Sequence, residues 1–394
     1  MSEWRERELG DLCNRITVGH VGSMVAEYVP SGVKFLRSLN IRPGRLGLDG
    51  IKYISNEFHA RLSKSQLFPG DLVIVRTGEP GATAIIPEGF GPANCSDVVI
   101  ARPGSGVNGR FLCYAINETA HDFVRAHTVG AVQQHFNVAS AKKLRIRLPS
   151  LAEQHAIAAV LGALDDKIAV NERIAATARQ LASALYVDAC AARSVIMSIE
   201  GFSSYLNRGQ SPKYSDCDSM LVINQKCVRD GRILLGSARK TQTARVHVDR
   251  KLRFGDVLIN STGVGTLGRV GIWSHDLEAT VDSHVTIVRV NPAVVQPIIG
   301  GFALLAAQPE IEAMGEGSTG QTELSRAKLG TVKVRIPDFG RNELAARLSA
   351  LENSSNAVLQ EVVSLTALRD TLLPKLMSGQ LTVKQAESVV EDVT

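Results

Sequence analysis

The feature that most constrains this chain is an internal repeat, because the second half of the sequence restates the first. Residues 68–86 run FPGDLVIVRTGEPGATAII and residues 254–273 run FGDVLINSTGVGTLGRVGIW, so Gly70-Asp71 corresponds to Gly255-Asp256. Two further blocks recur: SDVVIARP (96–103) as SHVTIVRV (283–290), and QQHFNVASAKKLRIRLP (133–149) as QTELSRAKLGTVKVRIP (321–337). A long helical pattern follows each final proline. Such a repeat predicts one structural plan used twice, in the order globular domain, helix, globular domain, helix.

Length and composition set the broad class. With 394 residues, 44% of them hydrophobic, the chain can bury two cores of ordinary domain size. No apolar run reaches the roughly 18 residues of a membrane span, and the charged start MSEWRERELG is unlike a signal peptide. We therefore expect a soluble, cytoplasmic protein with no membrane partner. The six cysteines are scattered without a Cys-X-X-Cys pair and are expected to be reduced thiols.

The two helical patterns have the regularity of a coiled-coil seam. Steps of four and three residues separate Ile157, Leu161, Leu164, Ile168, Asn171, Ala175, Ala178, Ala182 and Leu185, and likewise Leu344, Leu348, Leu351, Ser355, Val358, Val362 and Leu365. This spacing predicts two helices of about 35 to 40 residues that pack antiparallel on each other. The alternative is that each helix packs only on its own domain. Asn171 and Ser355 interrupt the seams, and we expect them at roughly the same level, where they would fix the register.

Together these patterns predict an α+β chain. Two tandem-duplicated α/β domains would be separated by two long antiparallel coiled-coil helices, with a pseudo-twofold relation between the copies. The expected bounds are a first domain at 1–149, a central long helix at 150–190, a second domain at 191–337, a C-terminal long helix at 338–380 and a tail at 381–394. The acidic pair Asp165-Asp166 in the first helix is expected on a solvated face.

One stretch imitates a dinucleotide-binding fingerprint. Gly263, Gly265 and Gly268 follow an apparent strand with the spacing GxGxxG, and Asp282 lies about 20 residues further on, as the fingerprint of a nicotinamide or flavin enzyme would require. That motif works only if its last glycines open a helix, whose free N–H groups hold the pyrophosphate. The following residues are instead rich in Val, Ile and Thr, and the first copy has Pro80-Gly81 where the second glycine should be. We therefore interpret the stretch as a strand, a glycine-rich turn and a strand.

Other catalytic patterns fail in similar ways. GEGSTGQT (315–322) resembles a phosphate-binding loop, but Gln321 stands where the lysine should be. None of the nine histidines lies in a zinc-binding spacing, and no nucleophile motif is present. We expect neither catalytic residues nor a metal site, so the sequence favours a binding protein over an enzyme.

Two helical segments and the repeated blocks carry a resemblance to a known family. LPSLAEQHAIAAVLGALDDKIAVNERI (148–174) and LRDTLLPKLMSGQL (368–381) resemble the central and C-terminal helical regions of specificity subunits of type I restriction-modification systems. GDLVIVRTGEPG and QQHFNVASAKKLRIRLP are similar to segments that recur in the target-recognition domains of those subunits. The second helix start, FGRNELAARL, lacks the pair that Glu153 and Gln154 supply in the first.

This resemblance implies a DNA-recognition subunit that performs no chemistry. Each globular domain would read one half of a split sequence in double-stranded DNA, and the paired helices would set the distance between the halves. Two methyltransferase (modification) subunits would dock on the chain, joined by restriction subunits that act as translocase and nuclease. S-adenosylmethionine, ATP and Mg²⁺ would be bound by those partners, and this chain would bind no cofactor. The net charge of +5 and pI near 8.9 suit a nucleic-acid partner without demanding one.

For a reader of this kind, the favoured DNA contacts are polar residues beside glycine-rich turns, because Arg, Asn and Gln make bidentate contacts with bases. The candidates are Arg37, Asn40, Arg76, Thr77, Gln133 and Gln134 in the first domain, and Asn224, Gln225, Ser261, Thr262, Thr319, Gln321 and Thr322 in the second. The alternative is that these are turn-forming or strand-edge polar groups. Lys142, Lys143, Arg239, Lys240 and Lys328 would contact only phosphate or water.

Three other functions remain open from the residues alone. A stand-alone two-domain DNA-binding regulator would share the readers but would not need docking surfaces for methyltransferases. A nucleotide-dependent oxidoreductase would bind NAD or FAD. A scaffold protein would bind only proteins and would show no salt-dependent affinity for DNA.

Overall fold

Strands rich in β-branched residues and two long helices build both halves of this computed structural model. It describes residues 4–126, 136–215, 220–315 and 323–391. The chain divides into two compact units. Unit 1 comprises Met1–Ala169 with Val363–Thr394, and unit 2 comprises Val170–Val362. Each unit therefore contains one globular domain and a part of both long helices. No helix in these described ranges is long and apolar enough to cross a membrane.

Unit 1 begins with thirteen strands and the helices between them, numbered here in chain order. The strands are β1 (Arg5–Glu8), β2 (Cys13–Val18), β3 (Tyr28–Val29), β4 (Val33–Leu36), β5 (Ile41–Arg42), β6 (Arg45–Leu46), β7 (Lys52–Ile54), β8 (Gln66–Leu67), β9 (Leu72–Val75), β10 (Thr83–Ile85), β11 (Ala93–Cys95), β12 (Val98–Pro103) and β13 (Arg145–Leu148). The helices are α1 (Leu9–Leu12), α2 (Asn56–Arg61), α3 (Gly109–Ala126), α4 (Val138–Lys142) and the long α5 (Leu151–Ala192), whose second half belongs to unit 2.

Unit 2 repeats this plan. Its strands are β14 (Ser194–Ser198), β15 (Ser203–Arg208), β16 (Leu221–Ile223), β17 (Val228–Arg229), β18 (Gly231–Ile233), β19 (Arg239–Lys240), β20 (Val257–Asn260), β21 (Val270–Ile272), β22 (Ala279–Val281), β23 (Val285–Val290) and β24 (Lys333–Pro337). Its helices are α6 (Ile199–Phe202), α7 (Pro297–Ala306), α8 (Gln308–Ala313), α9 (Arg326–Thr331) and the long α10 (Arg341–Met377). The helix α11 (Val383–Glu391) then lies in unit 1.

The same four-stranded arrangement forms the centre of each domain. In unit 1 the order is β10-β9-β12-β2, and in unit 2 the equivalent strands β21-β20-β23-β15 lie next to each other within a six-stranded sheet. Strands β9 and β20 are buried along their whole length. A strand covered on both faces reads as a continuous run of Val, Ile and Leu, which is the pattern seen in LVIV and VLIN.

The long helices pack on each other, which confirms the predicted α+β fold with two paired helices and excludes helices that pack only on their own domains. The predicted seam is buried at Ile157, Leu161, Leu164 and Ile168, and on the second helix at Leu348. Ala175 and Ala182 are also fully buried, as expected where two helix backbones approach closely.

Polar contacts show how the helices run within each unit. In unit 2, Asn171 Nδ2 donates to Glu361 Oε2 at 2.8 Å and Arg179 Nη2 donates to Glu352 Oε1 at 2.5 Å. The partner number falls as the residue number rises, so the helices are antiparallel there. In unit 1, Arg369 Nη1 donates to Asp165 Oδ1 at 2.9 Å.

Two details differ from the sequence prediction. Asn171 and Ser355 do not meet each other but lie about one helical turn apart, since Asn171 contacts Glu361 whereas the Ser355 hydroxyl donates to the carbonyl of Ala175 at 3.2 Å. Ser355 also accepts a hydrogen bond from Arg232 of β18, which no helical period could reveal. The pair Asp165-Asp166 is not simply solvated, because Asp165 binds Arg369 and Asp166 binds Arg110 of α3.

Candidate nucleic-acid interface

In unit 1, the ends of three neighbouring strands meet at one edge of the sheet. Val75 at the end of β9 pairs with Val98 at the start of β12, and Val99 pairs with Val18 at the end of β2. The residues just beyond these strand ends must therefore lie close together. We call them the strand-end edge of unit 1: Gly19-His20, Arg76-Thr77 and Ser96-Asp97.

Asp97 organises this edge. Its Oδ1 accepts a hydrogen bond from Arg76 Nη1 at 2.6 Å, and its Oδ2 accepts a longer one from Thr77 Oγ1 at 3.5 Å. The backbone N–H of Asp97 donates to the carbonyl of His20 at 3.1 Å, and its φ of 50° lies in the left-handed region. The Asp97 carboxylate is half-exposed, so Arg76 and Thr77 are held in place at a surface that remains open to a partner.

Unit 2 has the same edge with different chemistry. Its residues are Gly209-Gln210, Ser261-Thr262 and Ser283-His284, beyond the ends of β15, β20 and β23. Thr262 Oγ1 lies 2.7 Å from His284 Nδ1, and the backbone N–H of His284 donates to Asp282 Oδ1 at 2.9 Å. Thr262 and Thr77 correspond in the repeat, and so do His284 and Asp97. In both edges a threonine is therefore bonded to the residue that follows a serine. That residue has a carboxylate in unit 1 (Asp97) and an imidazole in unit 2 (His284).

A concave surface of about 440 Å³ adjoins the edge of unit 2. It is lined by Tyr214, Asn224, Gln225, Lys226, Ser237, Arg239, Asp282 and His284. The guanidinium carbon of Arg239 stands 3.4 Å from the centroid of the Tyr214 ring, a cation–π contact. Burial raises the pKa of Asp282, while the His284 backbone N–H lowers it in part. The surface therefore offers hydrogen-bond donors and acceptors, the groups that recognise base edges and phosphates, beside a ring that Arg239 covers on one face.

Each edge also accepts a backbone hydrogen bond from a residue that follows the remaining candidates in the sequence. Phe136 N–H donates to the carbonyl of Arg76 at 3.1 Å, and Leu324 N–H donates to the carbonyl of Ser261 at 2.9 Å. The predicted contacts Gln133, Gln134, Thr319, Gln321 and Thr322 themselves lie outside the described residues.

Two of the predicted DNA contacts are buried in this structure and do not reach its surface. Asn40 is fully buried: its Oδ1 accepts from the Arg37 N–H and its Nδ2 donates to the carbonyl of Gly47. Ser261 is also fully buried, with its hydroxyl 2.5 Å from that of Thr286. Both are polar groups that a turn or sheet requires, which is the alternative that the sequence left open.

The other described candidates remain at the surface. Arg76, Thr77 and Thr262 belong to the strand-end edges, and Asn224 and Gln225 line the concave surface of unit 2. Arg37 is partly buried and donates to the carbonyl of Gly50 at 2.9 Å. Asn224 Nδ2 donates to the carbonyl of Ser237 at 2.6 Å, and its Oδ1 accepts from the Lys226 N–H. The second amide hydrogen and the second lone pair of Oδ1 remain for a partner.

Sequence reasoning missed five groups at these surfaces: Asp97, Tyr214, Arg239 as a stacked residue, Asp282 and His284. The repeat held a signal for two of them. In SDVVIARP and SHVTIVRV the serine is kept while the next residue changes from Asp97 to His284. A change of chemistry at a fixed structural position is typical of a site that recognises two different partners.

The glycine-rich stretch 263–268 is a turn, as predicted. It joins β20 to the antiparallel β21, and no helix starts at Gly268. The pyrophosphate-binding helix that the dinucleotide fingerprint needs is therefore missing at this turn. Among the residues that the structure describes, no cluster of His, Cys, Asp and Glu could hold a metal ion.

The sequence and the fold of this chain are similar to those of known proteins. Residues 1–180 match the family described as the type I restriction modification DNA specificity domain. The crystal structure of a type I restriction-modification system S subunit from M. genitalium has a TM-score of 0.61 at 15% identity, over 95% of this chain and 96% of that one, and shows that the fold is shared. The HsdS subunit from Thermoanaerobacter tengcongensis has a TM-score of 0.36 at 17% identity, over 96% of this chain and 98% of that one. No curated protein matches the sequence.

Proposed function

This chain belongs to the family of type I restriction-modification DNA specificity proteins, and from that premise we propose that each of its two domains recognises one half of a bipartite DNA target. In this proposal the strand-end edges of units 1 and 2, with the loops that adjoin them, are the reading surfaces. The chain itself performs no reaction and determines where its partner subunits act.

The observation that carries this proposal is the matched pair of edges. Thr77 with Asp97 and Thr262 with His284 occupy equivalent places on equivalent strands. A carboxylate accepts hydrogen bonds, whereas an imidazole can donate as well as accept, so the two edges favour different base edges. Two copies of one frame that differ in the exposed groups are what an asymmetric split target requires.

The long helices have the complementary role in this proposal. A helix of 42 residues and one of 37 each belong in part to unit 1 and in part to unit 2. Their paired seam would set the distance between the half-sites, as dimer geometry does for simple repressors. Their outer faces would dock two methyltransferase subunits, and restriction subunits would complete the assembly. S-adenosylmethionine, ATP and Mg²⁺ would belong to those partners.

A domain exchange tests the proposal directly. The chain is expressed with its methyltransferase partners in cells, and methylated adenines are mapped across the genome. Exchange of residues 1–149 for the corresponding domain of a related subunit should change one half of the methylated sequence and leave the other half and the spacing intact.

The reciprocal exchange of residues 191–337 is the matched control and should change only the other half. A change in both halves after a single exchange, or in neither, would show that the domains do not read separately. If all methylation is lost, DNA binding by the purified chain is measured. A folded chain that still binds DNA would show that the exchange impaired docking of the methyltransferase subunits and not DNA recognition.

A further inference from the structure

One exposed apolar side chain stands at the edge of unit 2. Val264 lies at the tip of the turn between β20 and β21 and is 89% exposed, more than Val25 at 84% or Phe339 at 78%. Its neighbours Gly263 and Gly265 have φ values of 112° and 71°, in the region that favours glycine. The turn thus presents one valine between two residues that have no side chain.

This tip is held in a defined position. The N–H groups of Thr266 and Leu267 both donate to the carbonyl of Gly263, at 3.2 and 3.0 Å. Arg269 Nη2 donates to the carbonyl of Gly265 at 2.9 Å, and Asn260 Nδ2 to that of Thr266 at 3.0 Å. A tip with its carbonyls bonded in this way is ordered before it meets a partner, so a contact made by Val264 costs little conformational entropy.

The equivalent turn of unit 1 shows that the fold does not need an apolar group here. Gly78 and Gly81 have φ values of 94° and 96°, and the tip residue that corresponds to Val264 is the exposed Glu79. The last glycine of each turn packs against a helix, Gly81 on Ala120 and Gly268 on Glu312. The first and last glycines are kept, while Pro80 replaces Gly265 and the unit 1 turn is two residues shorter. The tip changes from a carboxylate to an isopropyl group within this shared frame, which indicates that the tip serves recognition and not packing.

We propose that Val264 contacts the 5-methyl group of a thymine in the major groove of the half-site read by residues 191–337. This inference rests on the proposed function. Valine has no hydrogen-bonding atom in its side chain, and the thymine methyl is the apolar feature that base pairs present in the major groove. The tip follows directly after Thr262, which is bonded to His284, so the methyl contact would be made beside the polar groups of the same edge.

The contact is tested with deoxyuridine, which is thymidine without the 5-methyl group. The probe is a duplex of the methylated sequence mapped in cells, in which each thymine of this half-site, on either strand, is replaced singly by deoxyuridine. Binding is measured for the full chain together with its methyltransferase subunits. At one position the replacement should weaken binding about three- to fivefold, as expected for the loss of one buried methyl group.

The Val264→Ala variant makes the result specific. It should bind the unsubstituted duplex about three- to fivefold more weakly and should no longer distinguish thymine from deoxyuridine at that position. Phe254→Ala is the matched control, because Phe254 is 66% exposed but precedes the opposite end of β20. That variant should keep the full response to deoxyuridine.

The proposal is overturned if this half-site contains no thymine, if no single deoxyuridine weakens binding, or if Val264→Ala keeps the response. A valine that wedges between base pairs would give a different result, in which Val264→Ala reduces DNA bending without any dependence on the methyl group. In each of these cases the natural chain still binds and directs methylation of its target, so the proposed function is tested separately.

Discussion

Arg289 binds the carboxylate of Asp256 through two parallel hydrogen bonds, from Nε to Oδ1 at 2.8 Å and from Nη2 to Oδ2 at 2.7 Å. Arg102 and Asp71 repeat this geometry at the equivalent positions of unit 1, at 2.7 and 2.8 Å. Each aspartate is 1% exposed and also caps a turn, since Asp256 accepts from the Arg253 N–H and Asp71 from the Phe68 N–H. The repeated Gly-Asp of the sequence is thus a structural anchor that fixes the start of β9 and of β20.

These two anchors should differ in strength. Arg289 is 10% exposed, whereas Arg102 is 34% exposed and can be solvated when its partner loses its charge. We expect Asp256→Asn to lower the free energy of unfolding by about 3 to 5 kcal/mol, because it leaves a buried charge without its counterion. Asp71→Asn should cost less. Chemical denaturation measures both, and Glu278→Gln, which breaks an exposed pair with Lys251, is a control expected to cost at most about 1 kcal/mol. Equal losses at Asp71 and Asp256 would contradict this account.

Glycine substitutions in the two turns should also differ. At Gly263 an added Cβ would lie 2.2 Å from Gln225 Oε1 and 2.3 Å from Thr266 Oγ1, whereas at Gly78 nothing lies within 4 Å. Gly78→Ala therefore meets only the strain of its positive φ, of order 1 to 3 kcal/mol. Gly263→Ala should in addition displace Gln225 from the concave surface and weaken recognition of the half-site read by unit 2. Mapped methylation and thermal melting separate the two effects.

Calorimetry should detect no NAD binding to the natural chain, and binding of NAD would refute our interpretation of the turn.

A leucine at Ser355 should destabilise the helix pair, although the seam pattern alone suggests the opposite. Ser355 is fully buried, lies against Ala175 and accepts a hydrogen bond from Arg232, whose Nε has no partner. The larger side chain would be overpacked and would remove that acceptor, at a cost of about 2 kcal/mol or more. Ser355→Ala removes only the hydrogen bonds and is the milder control. Urea denaturation gives the free energies, and a leucine variant more stable than the natural chain would show that the helices can move apart here.

The free energy of unfolding should depend on pH through the carboxyl group of Asp282 in unit 2. Burial raises the pKa of this carboxyl above its ordinary value of 3.8. The folded chain then retains a proton that the unfolded chain has already released, so stability falls as the pH rises between the two pKa values and the penalty is complete above the folded-state pKa. Asp282→Asn keeps the bond from the His284 N–H and removes the charge. It should be more stable than the natural chain at pH 7, with a gain that vanishes as the pH falls below 3.8. A gain that is the same at both pH values would show that charge is not its cause.

Much of the architecture could be predicted from the sequence, because the signals are periodic and local. The repeat of Gly70-Asp71 as Gly255-Asp256 and the four-three spacing around Leu161 and Leu348 each depend on residues whose relation is visible along the chain. Such patterns predict strands, turns and paired helices, since the side-chain period of an element is set by its own backbone. The interpretation of residues 263–268 as a turn was correct for the same reason.

Only the tertiary structure decided which polar groups face outward and which groups they meet. Asn40 and Ser261 look as available in the sequence as Thr77 and Thr262, yet the first two are fully buried and the last two lie at the strand-end edges. The burial of a polar side chain depends on partners far away in the chain, such as Thr286 for Ser261, and no local period encodes those partners. The register of the helices has the same origin, because Ser355 is fixed by Ala175 and by Arg232, residues that only folding brings beside it.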